Sequence, residues 1–145
     1  MKLDIEINDL AKARIKADAL AKIVKKTIEY SGFNFLKNKT VSVSFAIVNE
    51  KEIRRLNNLY RKIDAVTDIL SFTEYKNSAD IKKEKESSIF LGELVLCYND
   101  IEKFAKKNKI SVKEEFNNVV SHGSLHLLGF RHGKKMFAIQ KKVKL

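Results

Sequence analysis

HGSLHLLGFRH, residues 122–132, holds every histidine of the chain. His122 and His126 are four residues apart, so on a helix both imidazoles leave from one face. Phe116, Val119, Val120 and Leu127 form the apolar stripe of that helix. The stripe runs beside the histidines rather than under them, which places the rings at the edge of a core. Gly129 is the natural break, because only glycine adopts a left-handed backbone at little cost. His132, three residues later, can then swing back towards the other two. Three nitrogens with an open fourth position describe a catalytic zinc site rather than a closed structural one. The expectation is one zinc ion on His122, His126 and His132.

Upstream, the pattern predicts a mixed sheet covered by helices. LDIEI (3–7) alternates as a half-buried strand, and VSVSFAIV (41–48) is β-branched enough for an interior one. Leu20, Ile23, Val24 and Ile28 recur at helical spacing, and Gly32 stands where that helix stops. Asn49 with Glu52 has capping-box spacing and opens a short helix carrying Ile53, Leu56 and Leu59, which ends near Arg61. RKIDAVTD reads as a loop into the strand ILSF, and NSADIKKEKESS (77–88) as a polar surface loop with little to bury. IFLGELVLCY returns as a strand. Asn99 with Glu102, then Ser111 with Glu114, open two further helices, the second leading into the histidines. No linker or repeat interrupts the order, so the expectation is one α+β domain over residues 1–145, a small mixed sheet with a zincin-like histidine helix.

A chain of 145 residues is long enough to bury roughly 70% of its unfolded surface. Cys97 is the only cysteine, which excludes an intrachain disulfide and a cysteine-based zinc site. The first residues lack the apolar core of a secretory signal, and no run approaches the ~20 apolar residues of a membrane span. The reading is a soluble, cytoplasmic protein with no membrane partner. Lys and Arg total 29 against 18 Asp and Glu, a net charge of +11. The last fifteen residues add Arg131, Lys134, Lys135, Lys141, Lys142 and Lys144 without one acid. Such a surplus favours polyanions, nucleic acid or the ribosome.

The spacing H-x3-H-x2-G-x2-H is also that of metzincin peptidases. Those enzymes place a glutamate directly after the first histidine as general base. Here that position is Gly123, so peptide hydrolysis loses its key group.

HGSLHLLGFRH more closely resembles the pattern H-G-x-L-H-L-x-G-[YF]-D-H of the YbeY family of bacterial endoribonucleases. LNNLYRKIDAVTDILSF (56–72) resembles that family's L-N-x-x-Y-R…D-x-P-T-D-V-L-S-F, and LGEL (91–94) its L-G-D-I. The resemblance implies a zinc-dependent, single-strand-selective endoribonuclease acting in ribosomal RNA maturation and ribosome quality control, in contact with the small subunit in the cytoplasm. It implies that His122, His126 and His132 ligate the metal and that Arg61 is the catalytic arginine beside it. Arg61, forked and always charged, suits phosphate oxygens. Thr67 and Asp68 are read as residues that shape the turn into ILSF.

Two positions depart from the pattern. Val66 replaces a proline, removing a fixed φ. Arg131 replaces the acid before the third histidine, where a carboxylate could orient a ligand. Arg131 is expected to point outward and, with Arg61, Lys134 and Lys135, to contact single-stranded RNA. The substitution also keeps open a second reading, a non-catalytic zinc-bearing ribosome-assembly factor that binds RNA. The oligomeric state stays open as well.

Overall fold

A computed structural model describes residues 1–144. In chain order the elements are β1 (Lys2–Asp9), α1 (Ala17–Ser31), β2 (Thr40–Ile47), α2 (Glu50–Arg61), β3 (Ile69–Thr73), α3 (Ser78–Lys82), β4 (Ser88–Leu96), α4 (Tyr98–Lys107), α5 (Val112–Leu127) and α6 (Lys134–Lys142). The four strands form one mixed sheet in the order β1-β2-β4-β3. β1 and β4 run parallel to β2, and β3 closes one edge antiparallel to β4. The α+β class read from the periodicities is the observed one.

Strand β2 shows why the layers form. Val41, Val43, Phe45 and Ile47 alternate with half-buried Ser42, Ser44 and Ala46. The four apolar side chains pack with Leu20, Ile23, Val24 and Ile28 of α1 and with Val119, Val120 and Leu127 of α5. Each fully buried side chain of this size contributes roughly 1.5–3 kcal/mol. The other face is covered by α2, where Ile53 and Leu56 meet Leu70, Val95 and Cys97. Leu59, on the same helix, is instead 60% exposed.

Strand β4 keeps its apolar residues on the α1/α5 side only by slipping register. Ser42 pairs with Phe90 and Val43 with Gly92, leaving Leu91 as the extra residue of a bulge. Ile89 and Leu91 face the main core before the slip, and Leu94 and Leu96 after it. A regular strand would have turned Glu93 inward there. Gly92 has φ +141°, and a Cβ on it would lie 2.2 Å from the Phe72 carbonyl oxygen and 2.9 Å from Leu127. The bulge therefore also lets the histidine helix approach the sheet.

Three local expectations differ from what is observed. Residues 77–88 are not a plain polar loop, because α3 begins there with Asn77 as its cap and Ile81 fully buried. A single apolar residue in a polar run is too weak a periodic signal to read. Helix α4 starts at Tyr98 behind Cys97, so Asn99 lies inside it and donates to Glu50 at 3.1 Å instead of capping. The two capping boxes are half formed. Asn49 and Ser111 accept from the backbone N–H of Glu52 and Glu114, but the Glu52 carboxylate turns to Arg55 at 2.6 Å. The basic C-terminal stretch folds as α6, burying Met136 and Ile139 and holding its lysines outward.

Candidate metal centre

Helix α5 is set at its start by the Ser111 cap and at its end by a left-handed glycine. The amide of Gly129 (φ +91°) donates to the His126 carbonyl at 2.9 Å, and that of Phe130 to the Leu125 carbonyl at 3.0 Å. This is a Schellman ending, which reverses the chain immediately after the helix. The N-terminus of α3 packs against the turn: Ser78 Oγ donates to the Leu128 carbonyl at 2.7 Å. A Cβ at residue 129 would lie 2.6 Å from the Ser78 amide nitrogen. The short helix missing from the sequence reading thus braces the turn that delivers His132.

The three histidines come together as the spacing predicts. His122 Nε2 lies 3.1 Å from His126 Nε2 and 2.9 Å from His132 Nε2. Four ligands around zinc at ~2.0–2.1 Å have neighbouring nitrogens ~3.3 Å apart, so the observed spacing is close to the edge of such a tetrahedron. His122 Nδ1 is 3.1 Å from Gln140 Oε1, and His126 Nδ1 is 3.1 Å from the Phe130 carbonyl. Both partners accept, so each Nδ1 carries the proton and each Nε2 turns its lone pair inward. Burial lowers the pKa of both rings, which favours the neutral form that a metal ion requires. Converging lone pairs repel unless a cation lies between them, so the three residues could hold a metal ion. Their all-nitrogen chemistry fits zinc.

Gly123 faces away from the cluster into the sheet. A Cβ there would lie 2.4 Å from Ile69 Cδ1 and 3.0 Å from Leu94. The position that would carry a metzincin base is a packing contact between α5, β3 and β4, with no room for a side chain.

The histidines open into a cleft of about 880 Å³, lined also by Arg61, Asp68, Ser71 and Glu115. Arg61 is exposed at the end of α2 and reaches back, donating from Nη2 to the Ser71 carbonyl at 3.4 Å. Asp68 does more than shape a turn. Its backbone carbonyl accepts from Cys97 at 2.9 Å, while its half-buried side chain enters the cleft. Burial raises the Asp68 pKa, against the lowering effect of backbone amides and of His122. Glu115, buried in the same wall, is also raised chiefly by burial. The cleft is therefore a mixed acid, base and cation site inside a basic protein.

Two residues there escaped the sequence reading. Gln140 was hidden in a stretch read only as basic, and its role needs the packing of α6 on α5. Asp68 stands inside the TDILSF match, where the sequence gives it a turn-shaping role and no signal of a place in the cleft. Conversely, Arg131 is exposed and lines no part of the histidine cleft. It lines, with Lys135, a separate hollow behind the His132 turn, whereas Lys134 lines neither. Among the described residues no helix is long and apolar enough to cross a membrane.

A family model described as Endoribonuclease YbeY matches residues 6–143. An Endoribonuclease YbeY of Limosilactobacillus reuteri is 30% identical over 152 residues, covering 97% of this chain and 95% of that protein. One from Aquifex aeolicus is 32% identical over 125 residues, covering 86% and 75%. A solution structure from Thermotoga maritima superposes with a TM-score of 0.62 at 29% identity, covering 97% of this chain and 86% of that one. Cleft, histidine tripod and near full-length matches agree, and the chain belongs to the endoribonuclease YbeY family.

Proposed function

We propose that this protein is a zinc-dependent endoribonuclease, selective for single strands, that acts in ribosomal RNA maturation and ribosome quality control in the cytoplasm, at the small ribosomal subunit. One observation carries the chemistry: three imidazole Nε2 atoms converge beside Arg61 in one open cleft. His122, His126 and His132 would hold a single zinc ion. When bound, zinc supplies Lewis-acid stabilisation of a phosphoryl oxygen.

The remaining work falls to the chain. Cleavage of a phosphodiester builds negative charge on non-bridging oxygens, and the Arg61 guanidinium would meet it with two parallel N–H donors. Its tether to the Ser71 carbonyl holds the fork at the cleft rim before the strand arrives. Asp68, which lines the cleft with its pKa raised by burial, would accept or return a proton there. Gln140 and the Phe130 carbonyl fix the tautomers of two ligands. Arg131, Lys134 and Lys135 would contact RNA phosphates outside the cleft, drawing on the +11 charge. Arg131 lines no part of the cleft, so its charge does not face the cation, but the carboxylate that could orient a ligand is missing, and the zinc-bearing assembly factor stays the alternative reading.

The test uses an end-labelled single-stranded fragment of ribosomal RNA, with the native protein and a His126→Ala preparation made identically. Cleavage that chelation abolishes, zinc restores and the variant lacks is the expected result. RNA binding without cleavage by zinc-loaded protein would overturn the enzymatic reading and leave the assembly factor.

A further inference from the structure

On the far side of the His132 turn lies the second hollow, about 580 Å³, that the proposed chemistry leaves unused. Its floor is aromatic. Phe33, just past α1, and Phe130, just past α5, have ring centroids 5.9 Å apart at an interplanar angle of 43°. Around that pair stand three cations from three separate segments: Lys82 of α3, Arg131 of the turn and Lys135 of α6. Among the described residues no acid lines the hollow.

The lysines are not loose. Lys82 Nζ sits 5.2 Å from the Phe33 ring centroid and Lys135 Nζ 5.8 Å from that of Phe130. A ring face attracts an ammonium by its quadrupole, but it does not neutralise the charge. Three cations of this surface are paired with acids, Arg54 with Asp64, Arg55 with Glu52 and Lys103 with Glu50, at 2.6–2.8 Å, so what marks the hollow is the gathering of three cations around one concavity. Here three positive charges are gathered and held, and the lining offers no carboxylate to any of them. Such a concavity is complementary to a compact anion. Position also narrows the choice. Arg131 and His132 are adjacent in sequence, with the histidine turned to the metal cleft and the arginine to the hollow, so one strand crossing the turn reaches both.

We infer that this hollow is an RNA subsite: Lys82, Arg131 and Lys135 together hold a backbone phosphate of the same single strand whose neighbouring segment lies in the histidine cleft. The inference rests on the endoribonuclease reading for its ligand. It joins Arg131 and Lys135 in one site on one phosphate, and it brings in Lys82, which no motif marks. The aromatic pair serves as the platform that positions the lysines.

The experiment measures fluorescence anisotropy of a labelled single-stranded RNA with the zinc-loaded full chain over a range of salt concentrations. The variant Lys82→Gln, Arg131→Gln, Lys135→Gln is compared with a charge-matched control, Lys16→Gln, Lys51→Gln, Lys113→Gln, whose lysines are exposed elsewhere. Metal content and thermal melting establish that both are folded and loaded. The hollow variant is expected to bind roughly tenfold more weakly than the control and to lose about 0.7 from the slope of log K against log salt, the mark of one phosphate contact on a single strand. Equal weakening in both variants overturns the subsite while leaving RNA binding, and with it the endoribonuclease reading, in place. If even the native chain fails to bind the RNA, the endoribonuclease reading itself fails.

Discussion

The two sides of the histidine cluster are built differently. His122 and His126 stand on the inner face of a sixteen-residue helix, half-buried, each with its Nδ1 held by a named acceptor. His132 stands on an exposed turn, its ring nearly parallel to that of Phe137 at 6.3 Å between centroids. Two imidazoles are thus fixed by folding, and the third is delivered by a turn that Gly129 and α3 hold in shape. A rigid pair binds with little ordering cost, whereas a ligand on a turn must be ordered as it binds. The difference places affinity on the helix and the adjustable element at the mouth of the cleft.

His126→Ala should have the largest effect. Four-ligand structural zinc sites gain ~10–16 kcal/mol in all, so losing one fixed ligand should weaken zinc by roughly 10²–10³-fold. His132→Ala should cost about tenfold less, because its loss removes an ordering cost along with a ligand. Competition with a chromophoric chelator measures both, and equal losses would break the distinction between fixed and delivered ligands.

Gly129→Ala comes next. It combines a left-handed backbone, costing roughly 1–2 kcal/mol, with a Cβ 2.6 Å from the Ser78 amide. Urea unfolding should report about 2–4 kcal/mol of lost stability, and zinc affinity should fall with it if the turn truly delivers His132.

Gln140→Ala should lower zinc affinity by roughly 10–100-fold, the usual cost of an outer hydrogen bond to a ligand. Gln140→Glu, which keeps an acceptor on His122 Nδ1, should restore it. A fall in melting temperature with unchanged affinity would show that Gln140 merely packs α6 onto α5.

The smallest change is zinc removal from the native chain. At a free concentration 100 times Kd the ion adds about 2.7 kcal/mol, which for a chain this size is roughly 5–10 °C in Tm. Native and His126→Ala proteins should melt together once chelator is present. A persistent gap would mean that His126 has a structural role beyond the ion.

Much of this molecule was legible before its structure. The period-2 run of β2 and the 3.6-period stripe of α1 are local properties of the chain, and the helix starts at Asn49 and Ser111 are local hydrogen bonds. The i, i+4 histidines followed by glycine constrain three side chains through backbone geometry alone. Tertiary contact decided the rest. The slip at Gly92 depends on Phe72 and Leu127, far away in sequence. α3 exists because one isoleucine finds the core, and Gln140 meets His122 only once α6 lies on α5. Arg131 shows the division most clearly. Its charge and its place beside His132 are written in the sequence, but its direction, away from the metal cleft and among Lys82, Lys135 and two phenylalanine rings, arises from segments a hundred residues apart being packed together.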